Sequence, residues 1–282
     1  MTQVKGGFVQ GNRRFPVFPV LWLNLAQCQD RRKHMETVLT DPIFNKMQKI
    51  RIEAIDGKSI NLEDYIINPQ STMSKSEYGC IISHLEAIRQ FAQTNNPYAL
   101  ILEDDICLDF KPYWKKTINE IIEEAPKDWE ILQLCYIIKK YIPQQDYELH
   151  TPNKDMWSTA AYLITNQAAK QLMNKTDKTN KFDLSHTKMH QADRFLYQNC
   201  RTYTYKDCPF IYRTNNDSTI FPDFVYYHEN SKKQIEIMLK NNQSINKLIN
   251  QSTQSWNNVA ILLTIIVLIS IIGVIIMYRY NQ

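Results

Sequence analysis

Three carboxylates stand in a row at Glu103-Asp104-Asp105, directly behind the apolar run Tyr98 to Leu102. Like charges repel, so their gathering where a buried strand ends calls for a reason. Hard divalent cations take oxygen ligands, and Mg²⁺ or Mn²⁺ commonly uses one or two carboxylates plus substrate phosphates. A cation held at this triplet would bridge a diphosphate and neutralise its charge as it leaves. In an extended segment Glu103 and Asp105, two residues apart, share a face. The competing reading is a solvated turn whose acids cap the next segment, and the triplet alone leaves both open.

Other residues have the chemistry to surround such an ion. Asn24 follows an early apolar run and either contacts a nucleotide or caps a turn. Arg31 and Arg32 have the charge to pair with phosphates, although a solvated helix face accounts for at least one of them. Asp56-Gly57 lines a nucleotide pocket or is a plain turn. Glu77 and His84 fall seven residues apart, on one helix face; the plainer readings are a cap and a packed histidine. Asp193 in HQADRFLYQ reads by itself as a helix cap. Cys80 reads as core; His190 and His228 have the chemistry of a late metal ligand, with an incidental place the plainer reading of each.

These residues need elements to place them. Val20 to Leu25 (VLWLNL) reads as a first buried strand, with a charged helix opening near Asp30. Ile50 to Ile55 is a second strand, ended by the Asp56-Gly57 turn signal. Ser74-Lys75-Ser76-Glu77 has the capping-box pattern, and Ile81, Ile82, Leu85, Ile88 and Phe91 keep helical spacing behind it. Asn95-Asn96-Pro97 stops that helix before the strand that carries the triplet. A helix is expected over Tyr113 to Glu124, a strand near Glu130 to Leu134, another at Ala160 to Ile164, and a helix from Gln167. Strands alternating with helices predict an α/β sheet, largely parallel and covered on both faces. Lys175 to Asn180 is a polar loop, and no internal repeat is present.

The bulk numbers exclude several classes. The chain has 282 residues, with 33 Lys+Arg against 29 Asp+Glu, and its 44% hydrophobic residues suffice for a large core. A formal charge of +4, without a basic stripe interleaved with aromatics, gives no support for a nucleic-acid partner. Six scattered cysteines without a CxxC pair argue against a zinc ribbon or a redox motif and favour reduced thiols; only Cys200 and Cys208 are close enough in sequence to suggest a pair. The start lacks an apolar signal core of the usual length. Near the end, Val259 to Met277 runs about 19 residues without a charge, enough for a helix to cross a bilayer. Trp256, Tyr278 and Tyr280 flank it as interfacial aromatics, and Lys232, Lys233, Lys240 and Lys247 ahead of it outnumber Arg279 beyond it. The expectation is a single-pass C-terminal anchor, inserted after translation as in tail-anchored proteins, with the larger part cytosolic.

Successive segments resemble glycosyltransferase family 25, the group of bacterial lipooligosaccharide galactosyltransferases and collagen β-galactosyltransferases. They are LNLAQCQDRR (Leu23 to Arg32), Ala54-Ile55-Asp56-Gly57, SEYGCIISH (Ser76 to His84), Leu102-Glu103-Asp104-Asp105, DWEILQL (Asp128 to Leu134), AAYLITNQAAKQLM (Ala160 to Met173), Asp193-Arg194-Phe195-Leu196 and Asp217-Ser218-Thr219-Ile220. Ser76 stands where the family has Gly, and Glu130 where it has Asp. The resemblance covers Val20 to Ile220 in collinear order.

It implies a GT-A-like fold, meaning a Rossmann-like nucleotide-sugar-binding sheet flanked by helices, together with a UDP-galactose or UDP-glucose donor and Mn²⁺ or Mg²⁺. By the same resemblance, Asp105 is the principal metal ligand, with Glu103 or Asp104 assisting through water or ribose. Asp193 becomes a general base or acceptor-binding group. Asn24, Arg31, Arg32, Asp56, Gly57, Glu77, His84 and Asp104 become the donor-binding set. The domain expectation is a tail over 1–17, a glycosyltransferase domain over 18–225, a stalk or amphipathic helix over 226–257, a transmembrane helix over 258–278 and a short tail over 279–282. The acceptor is a hydroxyl on a glycan, protein or lipid. One rival is an inactive domain of the same fold serving as an anchored binding module. A metal-dependent phosphohydrolase is weaker, because Leu23-Asn24-Leu25 lacks the aspartates such an enzyme needs after its first strand.

Overall fold

The computed structural model describes residues 17–244 apart from 71, 139–140, 152–153, 155, 179, 186 and 215–224. The Val259–Met277 segment and the Asp217–Ile220 motif therefore lie outside the described residues. Among the described residues, no helix is long and apolar enough to cross a membrane. The chain divides into two compact units, Met1–Ile235 and Glu236–Gln282.

The first strand, β1 (Val20–Leu25), is apolar apart from Asn24 and nearly wholly buried. It lies between β2 (Lys49–Ala54) and β4 (Tyr98–Glu103), parallel to both, with Leu25 opposite Ala54 and Leu23 opposite Glu103. In this register three carboxyl ends finish side by side, which forms the crevice where α/β sheets bind ligands. The short β3 (Ile66–Ile67) belongs to a separate three-stranded sheet with β9 (Asp177–Lys178) and β10 (Lys181–Asp183). Directly after the triplet, β5 (Ile106–Cys107) turns away to pair with β12 (Ile211–Tyr212).

The central sheet is completed by β6 (Ile131–Gln133), β7 (Tyr147–Leu149), β8 (Ala161–Thr165) and β11 (Thr202–Tyr205), in the order β2-β1-β4-β8-β6-β11-β7. It is mixed rather than largely parallel, since β8 runs antiparallel to both β4 and β6. An apolar run carries no directional signal; direction is set by the edge to which the preceding loop delivers the chain. Here residues 157–160 arrive at the carboxyl end of β4, and Glu103 N–H donates to Ala160 O at 2.8 Å.

Helices follow α1 (Gln29–Val38), α2 (Lys75–Ala92), α3 (Ile118–Glu124), α4 (Asn166–Thr176) and α5 (Ala192–Asn199), and residues 225–244 are also helical. The Ser74–Glu77 capping box is present, and Ile81, Ile82, Leu85, Ile88 and Phe91 form the fully buried face of α2. That face joins residues of α4 and α5 in one core with Leu21, Leu23, Ile52, Ile101 and Ile164, alternate positions on one side of the sheet. Trp22, Leu100, Leu102 and Leu163 are buried on the other side.

The helix expected from Tyr113 starts five residues later. Lys111–Tyr113 forms a single 3₁₀ turn, Trp114 is extended, and Thr117 then caps α3 in a reciprocal box with Glu120. The Thr-x-x-Glu signal that marks this start was legible in the sequence.

Candidate active site

The loop after β2 lies directly on the first turns of α2. A Cβ at Gly79 would come within 2.6 Å of both Gly57 N and Ile55 O, and one at Gly57 within 1.7 Å of Lys75 O. The contact is backbone against backbone, so only glycine fits at either position. Ser83 Oγ reinforces it by accepting from Ile55 N at 2.8 Å and donating to Gly79 O at 2.6 Å. The Asp56–Lys58 turn is thereby held beside the ends of β1 and β4, and the space between them is a cavity of about 310 Å³.

Asn24, Arg31, Asp56, Gly57, His84, Glu103, Asp104 and Asp105 all line this cavity. Glu77 lines a neighbouring cavity of about 450 Å³ together with Asp193, Trp157 and His228. Cys80, Glu103 and Asp105 belong to both, so the two spaces meet at the acidic cluster. Arg32 lines neither; it pairs with Glu36 at 2.9 Å on the exposed face of α1.

Arg31 Nη2 reaches Asp104 Oδ1 at 2.7 Å and Asp105 Oδ2 at 3.1 Å. Burial works against its charge, but Asp105, Asp104 and Glu103 more than restore it. Asn24 Nδ2 donates to Asp104 Oδ2 at 2.7 Å and to Cys28 O at 3.1 Å, while Arg51 Nε donates to Asn24 Oδ1 at 3.0 Å. With both polar ends engaged, Asn24 positions Asp104 rather than facing the cavity as a donor. Asp56 accepts from Lys58 N, Ser59 Oγ and Gln27 Nε2, so its carboxylate also organises its own turn. Glu77 Oε2 closes the capping box, and Gln191 Nε2 donates to its Oε1 at 3.4 Å.

The three carboxyls differ in electrostatics. Burial pushes Glu103 up, but the hydrogen bond and charge of His84, the Thr159 hydroxyl and Arg31 outweigh it and leave Glu103 below its ordinary value. Burial raises Asp104 despite Arg31 and Asn24. Asp105 is pushed to about 7, by burial first and then by Glu103 and Asp104, with Arg31 only partly offsetting them.

A hard divalent cation fits this arrangement. Asp105 Oδ1 is buried and has no hydrogen-bond partner. Among the described residues Arg31 pairs with two of the three carboxylates, Asp104 and Asp105, and one guanidinium does not neutralise both when they are ionised. An oxygen-rich donor set of this kind suits Mg²⁺ or Mn²⁺.

Sequence reasoning missed several residues at the site. Cys80, expected in the core, is only partly buried and lines both cavities. Thr159 Oγ1 donates to Glu103 Oε1 at 2.9 Å, and Tyr162 OH meets His84 Nδ1 at 3.1 Å. Ser158 has a φ of 97°, a region costly for any residue with a side chain. It is pinned there as Tyr197 OH and Gln133 Nε2 donate to its carbonyl at 2.6 and 2.9 Å and its N–H donates to Asp193 Oδ2 at 3.3 Å. Asp193, in the first turn of α5, is thus tied to the strand end beside Glu103. His228 lines the second cavity, its pKa lowered by burial despite the opposing charge of Glu103. His190 packs instead against Tyr78 OH and Thr187 O. None of the six cysteines is paired, Cys200 and Cys208 included.

Procollagen galactosyltransferase 1-A of Xenopus laevis is 27% identical over 180 residues, covering 55% of this chain and 28% of that protein. Procollagen galactosyltransferase 1 of Danio rerio is 25% identical over 181 residues, with the same 55% and 28% coverage. The chain therefore spans under a third of the length of these relatives. Among solved structures, a glycosyltransferase involved in the glycosylation of the major capsid of PBCV-1 aligns at a TM-score of 0.33 and 13% identity over 58% of this chain and 68% of that one, a likeness too weak to bear on the site. Residues 18–195 match the family described as glycosyltransferase family 25 (LPS biosynthesis protein). That match takes in more than half of the chain and includes the triplet, the α2 motif and Asp193, and the chain belongs to glycosyltransferase family 25.

Proposed function

We propose that this family 25 glycosyltransferase moves a hexose, galactose or glucose, from a UDP-sugar to a hydroxyl acceptor on a glycan, protein or lipid. The observation that carries the reading is the meeting of two cavities at Glu103 and Asp105, one framed by the ends of β1, β2 and β4, the other by α5 and the 157–160 loop. A sugar transferred between two substrates needs two such spaces with a shared boundary. The mixed sheet, with its crevice at three aligned carboxyl ends, supports a GT-A-like arrangement.

In this reading the nucleotide occupies the cavity of Arg31, Asp56 and Gly57, and Arg31 faces the diphosphate. Asp105, with Glu103 or Asp104 assisting, would hold Mn²⁺ or Mg²⁺. The chemistry such an ion supplies is neutralisation of charge on a departing diphosphate. Asn24 and Thr159 orient Asp104 and Glu103. Asp193, in the acceptor cavity, removes the acceptor hydroxyl proton as that oxygen attacks the anomeric carbon. Ile137, Trp157 and Met189 give that cavity apolar walls that limit water beside the reacting atoms. As part of the same proposal, Val259–Met277 anchors the chain in a bilayer with the catalytic residues on the cytosolic side; resistance to alkaline carbonate extraction and protease accessibility of the catalytic unit on intact membranes test it.

The direct test of transfer is UDP release from a panel of nucleotide sugars by the full chain, with and without Mn²⁺. Slow release from one hexose donor, abolished by EDTA and by Asp105→Asn, is expected. No release, combined with no Mn²⁺-dependent UDP binding, would leave an inactive binding module.

A further inference from the structure

Cys80 and His84 lie four residues apart on α2, so their side chains stand one above the other on a single face. That face meets the carboxyl end of β4 at Glu103. One ligand atom from each of Cys80, His84 and Glu103 lies within 4.8 Å of the other two. The histidine ring is already oriented: Tyr162 OH meets Nδ1 at 3.1 Å, and Nε2 faces Glu103 Oε1 at 3.3 Å. Thr159 Oγ1 holds the same carboxylate oxygen at 2.9 Å. Partners of this kind, which fix the tautomer of a ligating histidine and the rotamer of a ligating carboxylate, are what metal sites carry outside their ligands.

We propose that Cys80, His84 and Glu103 form a binding site for zinc or a similarly thiophilic divalent ion, separate from the hard-cation position at Asp105 but sharing Glu103 with it. Tetrahedral zinc with bonds of about 2.0–2.3 Å sets its ligand atoms roughly 3.3–3.8 Å apart. The observed spread of up to 4.8 Å closes to that value with small side-chain movements. Sulfur and imidazole select a borderline ion, whereas the oxygens around Asp105 select a hard one. Coordination replaces two protons with the ion: the Cys80 thiol proton leaves to solvent, and the proton that His84 Nε2 shares with Glu103 Oε1 is taken up again at Nδ1, which then donates to Tyr162 OH. Because Cys80 and Glu103 line both cavities, the fourth coordination position opens toward substrate space.

Sharing Glu103 has a consequence that rests on the transfer reading: zinc draws this carboxylate away from Asp105, so zinc and Mn²⁺ oppose each other and zinc inhibits. The site itself does not depend on that reading and is tested without any sugar. Cobalt(II) added to the metal-free full chain should produce sulfur-to-cobalt charge-transfer absorption, which stoichiometric Zn²⁺ removes and excess Mg²⁺ leaves intact. Cys80→Ser should abolish the band, and His84→Gln, which removes a ligand, should weaken binding by more than the roughly 10–100-fold that loss of an outer partner costs. In the unmutated chain, zinc should slow alkylation of Cys80 more than tenfold while leaving Cys28 unprotected, as read by peptide mapping. A folded wild type with no thiolate band, a band that survives in Cys80→Ser, or Cys80 alkylation unaffected by zinc would each overturn the site. An enzyme without transferase activity would leave it standing.

Discussion

Replacing Asp105 with Asn should make the metal-free protein more stable at pH 8. In the folded chain the Asp105 carboxyl is held at about 7, through burial and through Glu103 and Asp104, against the pull of Arg31. In the unfolded chain it titrates near 3.9. Because the folded value is the higher one, the penalty for ionising it is absent below about pH 4, grows between 4 and 7, and is complete above 7. A gap of roughly three pH units is worth about 4 kcal/mol at most. Asp105 shares its charge with two neighbours and its side chain is 25% exposed, so about 2–4 kcal/mol is the expected gain for a permanently neutral isostere. For a domain of this size that corresponds to a rise in Tm of roughly 5–15 °C. The assay is urea and thermal unfolding of the full chain in EDTA at pH 8 and pH 4.5, where the gain should shrink to about 1 kcal/mol. Mn²⁺ at pH 8 should stabilise the wild type and not the variant. A variant no more stable than wild type at pH 8, or equally stabilised at both pH values, would refute the claim that Asp105 holds uncompensated charge awaiting a cation.

Arg31→Met should cost about 3–5 kcal/mol at pH 8 in the same unfolding assay, because it leaves Asp104 and Asp105 without their counter-charge. The loss should diminish at pH 4.5, where Asp105 is protonated. Gly79→Ala should cost about 1–3 kcal/mol, since its methyl meets the backbone at Gly57 and Ile55; isothermal titration should show weakened UDP binding in the same variant. Asp193→Asn should lower kcat for transfer by about 10²–10⁴ while leaving the Kd for UDP within about twofold, measured by single-turnover transfer and by titration. A matched fall in UDP affinity would instead place Asp193 on the donor side.

Much of this protein was legible along the chain because the signals are local. The Ser74–Glu77 capping box and the apolar spacing behind it specify α2 from within its own sequence. The apolar run at 98–102 followed by three acids marks a strand that ends at a site, and the collinear motifs identify the family. The Thr117–Glu120 box is equally local, and it marks the start of α3 five residues beyond the Tyr113 start expected from the chain. What tertiary structure alone decided involves residues far apart in sequence. The antiparallel course of β8 depends on where its preceding loop enters, and only that course brings Ser158, Thr159 and Asp193 to Glu103. The division of labour among basic residues is likewise spatial: adjacent Arg31 and Arg32 point a helical step apart, one into the acidic cluster and one toward Glu36. Cys80 has the composition of a core residue, and its place between two cavities follows from how α2 packs on the sheet. Periodicity and capping act over a few residues, so sequence carries them; the facing of side chains across a cleft is set by long-range packing, and only the folded chain contains it.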